Sequence, residues 1–281
     1  MSKIALITDS TAYIPEHYCQ EYNITVLPQI LIWGADTYRD GVDIKPKEFY
    51  ERLATAKIMP STSQVTPAAF RTAYENLCGE GYEILAILIS SRLSGTIDSA
   101  LQAIEMVPEA KVEIFDSYTS AMALGFQVLA AARTIAQGGG MDQAKATLEQ
   151  VRDKTGVILT PETLEFLHRG GRIGSATRFL GTALNIKPIL EVHNGLIEPL
   201  ERVRTRKKAL QRMVDMITER AAGKPIRVAS LSANEPASAE AVLELAKNQM
   251  NIVESFVGDV SPVIGTHVGP GTVAVSYLIE G

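Results

Sequence analysis

Residues 84–100 read Ile84-Leu-Ala-Ile-Leu-Ile-Ser-Ser-Arg-Leu-Ser-Gly-Thr-Ile-Asp-Ser-Ala100. The six-residue apolar run from Ile84 to Ile89 predicts a strand covered on both faces, because a half-exposed strand alternates polar and apolar positions. Ser90-Ser91-Arg92-Leu93-Ser94-Gly95-Thr96 predicts a loop, and helical spacing resumes near Ser94. Strand, polar loop and helix start belong to an open α/β sheet, where ligands sit beyond the carboxyl ends of the strands. A helix beginning at such a loop turns backbone N–H groups outward, so the stretch predicts an anionic ligand. The alternative is that Ser94 or Thr96 simply caps the helix.

Outward from this stretch, strands alternate with helices over the first half of the chain. Residues 3–8 form an apolar run ending in Asp9-Ser10, and 23–32 reads as a second strand. Trp33 to Val42 reads as loop, and Pro46 opens a helix with Phe49, Tyr50 and Leu53 on one face. Pro60 to Val65 is a polar bend, after which Thr66 and Pro67 start a helix that stops at Gly79. A strand at 111–115, a nearly all-apolar helix at 120–136 and an amphipathic helix at 142–154 follow. Asp116-Ser117 repeats the Asp9-Ser10 pair, and Asx-type turns account for both.

The pattern changes after Gly156. A brief strand to Thr160 leads to a helix from Thr160-Pro161-Glu162 that ends at His168–Arg172, and Ser175 caps a short helix through Leu184. His193-Asn194-Gly195 lies between two apolar runs, 186–192 and 196–204, which is a hairpin signal. Helices at 206–222 and 236–248 and strands at 226–232, 252–257, 262–267 and 271–279 complete a mixed or antiparallel sheet. The chain is therefore expected to be α/β, with a parallel-sheet domain over 1–157 and a smaller mixed α/β domain over 158–281.

With 281 residues the chain has length for two domains. A net charge of −5 argues against bulk nucleic-acid affinity. Cys19 and Cys78 make no metal spacing and no disulfide framework, and no apolar stretch reaches transmembrane length, so a cytoplasmic protein is expected. G-x-x-x-x-G-K-[ST], H-E-x-x-H and G-x-S-x-G are all absent. Gly269-Pro-Gly271 imitates a dinucleotide fingerprint, but the alternation of Val273, Val275 and Tyr277 predicts a strand where that motif needs a helix. His267 stands beside these glycines, where a backbone can approach a ligand closely. Arg169 and Arg172 flank a Gly pair and could each offer a guanidinium to a carboxylate or phosphate, or complement a helix dipole. Arg202, Arg204, Arg206, Lys207, Lys208 and Arg212 form a basic cluster that is either a solvated face or a contact for a phosphate or a partner.

Eight motifs in order, Ile7-Thr-Asp-Ser10, Ser61-Thr-Ser-Gln64, Ile89 to Thr96, Asp116-Ser117, Gly170-Gly-Arg-Ile173, Lys187-Pro-Ile189, Arg202 to Lys207 and Gly269-Pro-Gly271, resemble the DegV family. The resemblance implies a long-chain fatty acid held between the two domains. It also implies a non-catalytic subunit of bacterial fatty acid kinase, which presents the carboxylate to a separate ATP-dependent subunit and carries the acyl phosphate toward phospholipid synthesis. By that resemblance Thr62, Ser94, the Gly95 backbone, His267 and Arg172 hold the carboxylate. The density of Arg202, Arg204, Arg206 and Lys207 in a chain of net charge −5 predicts a kinase-facing or phosphate-facing surface, and without a P-loop or metal cluster no metal or cofactor is expected in this chain. Two other readings use the same cleft. One is a lipid ester hydrolase with Ser94 as nucleophile and His267 as base, and the other is a small-molecule sensor.

Overall fold

The computed structural model describes residues 3–180 and 186–281. In chain order the first part comprises β1 (Lys3–Asp9), α1 (Glu16–Glu21), β2 (Ile24–Leu27), β3 (Ile30–Trp33), β4 (Asp36–Arg39), α2 (Pro46–Leu53) and β5 (Ser61–Ser63). It continues with α3 (Pro67–Gly79), β6 (Tyr82–Leu88), α4 (Thr96–Met106), β7 (Val112–Asp116), α5 (Ala121–Ala136) and α6 (Met141–Arg152). The rest is β8 (Thr155–Thr160), α7 (Glu165–Arg169), β9 (Lys187–His193), β10 (Leu196–Val203), α8 (Arg206–Ala221), β11 (Ile226–Ser232), α9 (Pro236–Lys247), β12 (Ile252–Asp259), α10 (Pro262–Val268) and β13 (Val273–Ile279).

The apolar run that begins at Ile84 is an inner strand of a parallel sheet ordered β2-β1-β6-β7. Its side chains alternate between two cores. Ile84, Ala86 and Leu88 meet Phe70 and Tyr74 of α3 and Ala100 and Ala103 of α4, while Leu85, Ile87 and Ile89 face α5. Both sets are buried, which is why the run carries no polar position.

A second sheet, ordered β10-β9-β8-β13-β11-β12, is antiparallel except for the β11–β12 pair. Its outer face packs on α8 and α9 through residues such as Val228, Val275, Met213 and Val242. Its inner face supplies Val157, Leu159, Ala274 and Leu278 to the core that also contains Leu85, Ile87 and Phe126. Helix α5 therefore lies between the two sheets, and that position explains its composition: a helix covered on opposite sides has no solvated stripe to fill with charge. The layers run α3 and α4, parallel sheet, α5, mixed sheet, α8 and α9. The boundary expected at 157/158 falls inside β8, whose pairing with β13 and β9 puts it in the second sheet from Thr155.

Four local expectations change. The strand read over 23–32 is broken at Pro28-Gln29, where the chain leaves the parallel sheet and enters a small antiparallel sheet ordered β4-β3-β5. That sheet claims two segments read as loops, Asp36–Arg39 and Ser61–Ser63, and its pairs Leu31–Thr62 and Leu31–Tyr38 place both beside β3. Residues 262–267, read as a strand, form helix α10. Pro262 presets the first helical turn, and the Asp40 carboxylate accepts the Val263 N–H at 3.1 Å, satisfying a donor that a short apolar run could not advertise. Helix α7 begins at Glu165 rather than at 160–162. Beyond it a 3-10 turn occupies Gly174–Phe179, and the end expected at Leu184 lies outside the described residues.

The hairpin forms as read. Asn194 (φ 47°) and Gly195 (φ 78°) both take the left-handed conformation that a two-residue turn requires. Both Asx turns form too, with the Thr11 N–H on Asp9 and the Tyr118 N–H on Asp116, each at 3.0 Å. Among the described residues no helix is long and apolar enough to cross a membrane.

Candidate functional site

The loop after β6 is held from two sides. Asp9 accepts the Ile89 N–H at 2.9 Å, and Asp116 accepts the Ser91 hydroxyl at 2.6 Å, so the carboxylates ending β1 and β7 bracket it. From the second lobe, the Gly195 carbonyl accepts the Ser90 hydroxyl at 3.0 Å, and Arg172 Nε donates to the Leu93 carbonyl at 3.1 Å. Further links join the lobes nearby. Tyr13 donates to Ser261 Oγ at 3.1 Å and accepts the Ser261 N–H at 2.9 Å, and Tyr50 donates to the Val260 carbonyl at 3.1 Å.

Between these contacts lies a cleft of about 930 Å³, counted with its open mouth. Ile89, Leu93, Leu159, Leu231, Val263 and Ala274 represent its apolar walls, drawn from both lobes. Thr62, Ser94, Arg172 and His267 all line it, so residues up to 205 positions apart in sequence come together, while Gly95 is not among the lining residues. Among the described lining residues no Asp or Glu occurs, and Arg172 brings a permanent positive charge. The composition of the lining matches a site for an apolar molecule with a polar end.

Thr62 Oγ1 lies 2.8 Å from His267 Nε2. His267 Nδ1 is buried without a partner, and it faces Gly170 so closely that a Cβ there would stand 2.2 Å away. Placing the ring proton on Nε2 avoids burying an unmatched N–H at Nδ1, so His267 donates to Thr62 and the Thr62 proton turns outward. Burial, and secondarily the Arg172 charge, depress the His267 pKa to about 4, so the ring is neutral at pH 7. Arg172 itself is anchored by Leu93 and by Gly170, whose carbonyl accepts from Nη1 at 2.6 Å. Arg169 pairs with Glu165 on the exposed side of α7 and does not line the cleft, which separates the two arginines that sequence spacing left equivalent.

Helix α4 starts at Thr96 with Gly95 as its N-cap, and no side chain caps it. The Ser94 and Thr96 hydroxyls instead meet each other at 2.9 Å. The Gln64 side chain covers the Gly95 Cα, where an added Cβ would lie 3.2 Å from its amide nitrogen. Sequence reasoning missed Thr11, Tyr13 and Gln29 as lining residues. The signal for Gln29 was the Pro28 break before it, which read as strand interior.

The basic cluster divides by environment. Arg206 is half-buried, donating to the Thr160 carbonyl at 3.3 Å and to the Gly271 carbonyl. Arg212 pairs with Glu201 and Glu219. Arg202 covers the Phe179 ring at 4.9 Å, and Arg204 and Lys207 are exposed. Among the described residues no group of His, Cys, Asp and Glu could hold a metal ion.

The class so defined is an α/β protein of two sheets around a shared helix, with an apolar cleft between them that ends in Thr62, Ser94, Arg172 and His267. The family model described as "Uncharacterised protein, DegV family" matches residues 3–280, and the chain belongs to the DegV family. It is 36% identical over 280 residues to Protein DegV of Bacillus subtilis, covering 99% of each chain. It is similar to the structure described as "Fatty Acid Binding of a DegV family Protein from Thermus thermophilus", with TM-score 0.93, 32% identity and coverage of 99% and 100% of the two chains. It is also similar to "DegV, a fatty acid binding protein from Bacillus subtilis", with TM-score 0.91, 35% identity and full coverage of both.

Proposed function

We propose that this protein is a carrier that binds a long-chain fatty acid in the cleft between its lobes and is not itself a catalyst. The observation that carries this reading is the combination of an apolar cleft with the polar side chains of Thr62, Ser94, His267 and Arg172 in its lining; the Gly95 backbone is the further proposed contact. Burying ~14 methylenes at ~0.8 kcal/mol each gives on the order of 11 kcal/mol gross, so the walls supply affinity. The polar end supplies orientation, because a carboxylate left unmatched beside those walls would cancel much of that gain. The similar proteins described as fatty acid binding support the ligand class.

The finer reading is that the bound carboxylate is presented to a separate ATP-dependent fatty acid kinase subunit and that the acyl phosphate stays in the cleft afterwards. Arg202, Arg204, Arg206 and Lys207 are the proposed contacts with that subunit, and the unpaired Cys19 and Cys78 support a reducing, cytoplasmic setting. A Ser/His hydrolase is less well supported. Ser94 bonds Thr96, His267 bonds Thr62, and no carboxylate orients His267 Nδ1.

The test is mass spectrometry of ligand extracted from denatured protein, followed by acyl-phosphate formation with a fatty acid kinase catalytic subunit. A co-purifying long-chain fatty acid that becomes phosphorylated is expected, with Ser94→Ala slowing transfer more than it weakens binding. Extraction of polar metabolites alone, or kinase-independent ester hydrolysis lost in Ser94→Ala, would refute the carrier.

A further inference from the structure

Behind Ser94 stands a chain of buried hydrogen bonds in which Gln29 also borders the cleft and Thr96 does not. Gln29 is 2% exposed and Thr96 fully buried. Gln29 Nε2 donates to Thr96 Oγ1 at 2.9 Å, and Thr96 Oγ1 lies 2.9 Å from Ser94 Oγ. Nε2 is an amide nitrogen and only donates, so the Thr96 oxygen is the acceptor in that bond.

This settles the direction of the next bond. The Thr96 oxygen already accepts from Gln29, and its own single proton needs an acceptor because an unmade bond in a fully buried site carries a desolvation cost. Ser94 Oγ is the acceptor 2.9 Å away. The Ser94 proton is thereby left for the cleft. The same polarity arises independently at Thr62, where His267 is the upstream donor.

We propose that Gln29 and Thr96 are positioning residues that hold Ser94 as a hydrogen-bond donor, so that the cleft selects an acceptor-only, anionic head group over an alcohol on the same acyl chain. This rests on the proposed fatty-acid reading and names what sets its head-group selectivity. The wall contacts are common to both ligands. Only the acid gains charge-assisted bonds from aligned donors, so the acid-to-alcohol affinity ratio isolates the relay at Thr96, which lies outside the cleft lining.

The experiment measures dissociation constants of hexadecanoate and 1-hexadecanol, by displacement of a fluorescent fatty acid, for wild type, Gln29→Met, Thr96→Val and Thr96→Ser. The ratio is insensitive to the folded fraction, because both ligands report on the same molecules. Expected is a preference for the acid in wild type, a fall in that ratio of about tenfold in Gln29→Met and Thr96→Val, and its retention in Thr96→Ser, which keeps the hydroxyl. Should Gln29→Met not fold, the Thr96→Val and Thr96→Ser pair decides alone. An unchanged ratio in Thr96→Val, or an equal loss in Thr96→Ser, overturns the relay while leaving fatty-acid binding standing. Failure of wild type to bind either ligand overturns the underlying reading instead.

Discussion

Thr62 and His267 stand 205 positions apart in the chain and 2.8 Å apart across the cleft, one on β5 of the small sheet and the other on α10. The bond links the two lobes, and with the ring proton on Nε2 it leaves the Thr62 proton directed away from His267. Thr62→Ala is expected to weaken fatty-acid binding by roughly 1.5–3 kcal/mol, the value of one charge-assisted bond, from a total several times larger. His267→Ala should weaken it too, and the double variant should cost less than the sum of the singles, since both remove one donor path. Isothermal calorimetry on the four proteins of the cycle measures this, and strict additivity would sink the orienting role.

The neutral state of His267 makes stability depend on pH. Its folded pKa of about 4 lies below the ordinary 6.5, with burial as the main cause and Arg172 as the second. Between those values the unfolded chain binds the proton and the folded chain does not, so stability is retained above about pH 6.5 and lost as pH falls toward 4. Asp40 opposes this. Burial raises it to about 6, so its contribution is present at low pH and lost as pH rises through about 6. Comparing wild type with His267→Gln by urea unfolding at pH 5 and pH 7.5 separates the two. The variant should gain stability relative to wild type at pH 5, by up to ~1.4 kcal/mol per pH unit of the window crossed. A difference independent of pH would show that His267 titrates normally.

Gly170 controls the same ring sterically. Its backbone (φ −75°, ψ −7°) suits any residue, so Gly170→Ala introduces no backbone strain, yet the new Cβ would lie 2.2 Å from His267 Nδ1. The ring must move, and with it the bond to Thr62. Gly170→Ala is expected to cost about 1–3 kcal/mol of stability, as overpacking does, and to reduce fatty-acid affinity much as Thr62→Ala does. Gly79→Ala is the control, since nothing lies within 4 Å of its added Cβ. Thermal unfolding and ligand titration of both variants test the contact, and wild-type affinity in Gly170→Ala would show that the ring is not held there.

What could be read from the sequence follows the range of the interactions involved. The run Ile84–Ile89, the Asn194-Gly195 turn and the Pro67 helix start are set by neighbours in the chain, and each element formed as read. Helix α10 was misread because its start is stabilised by Asp40, 223 positions away, and seven residues are too few to reveal a period. The small sheet was missed for a related reason: Ser61–Ser63 carries no strand signal of its own and is ordered by pairing with β3. In the site, Thr62, Ser94 and His267 were recoverable from the family resemblance, whereas Gln29 acts through Thr96, a relation visible only once the β3 strand is placed.

The basic cluster makes a prediction that divides residues adjacent in sequence. Arg206 donates to the carbonyls of Thr160 and Gly271, and it is half-buried, so Arg206→Ala should lower stability by about 1–3 kcal/mol through unmatched buried acceptors. Arg204 and Lys207 are exposed, and Arg204→Glu with Lys207→Glu should change stability by no more than ~0.5 kcal/mol. If these side chains meet the kinase subunit, the double reversal should slow association, and the loss should shrink as salt rises, because steering by exposed charges is screened beyond ~8 Å at physiological ionic strength. Fatty-acid affinity should stay at the wild-type value, since neither residue lines the cleft. Acyl-phosphate formation is then the decisive measurement, taken against kinase concentration at 0.05 and 0.3 M salt for wild type and the double variant. Identical rates at both salts would make Arg204 and Lys207 a solvated face, whatever Arg206 contributes to folding.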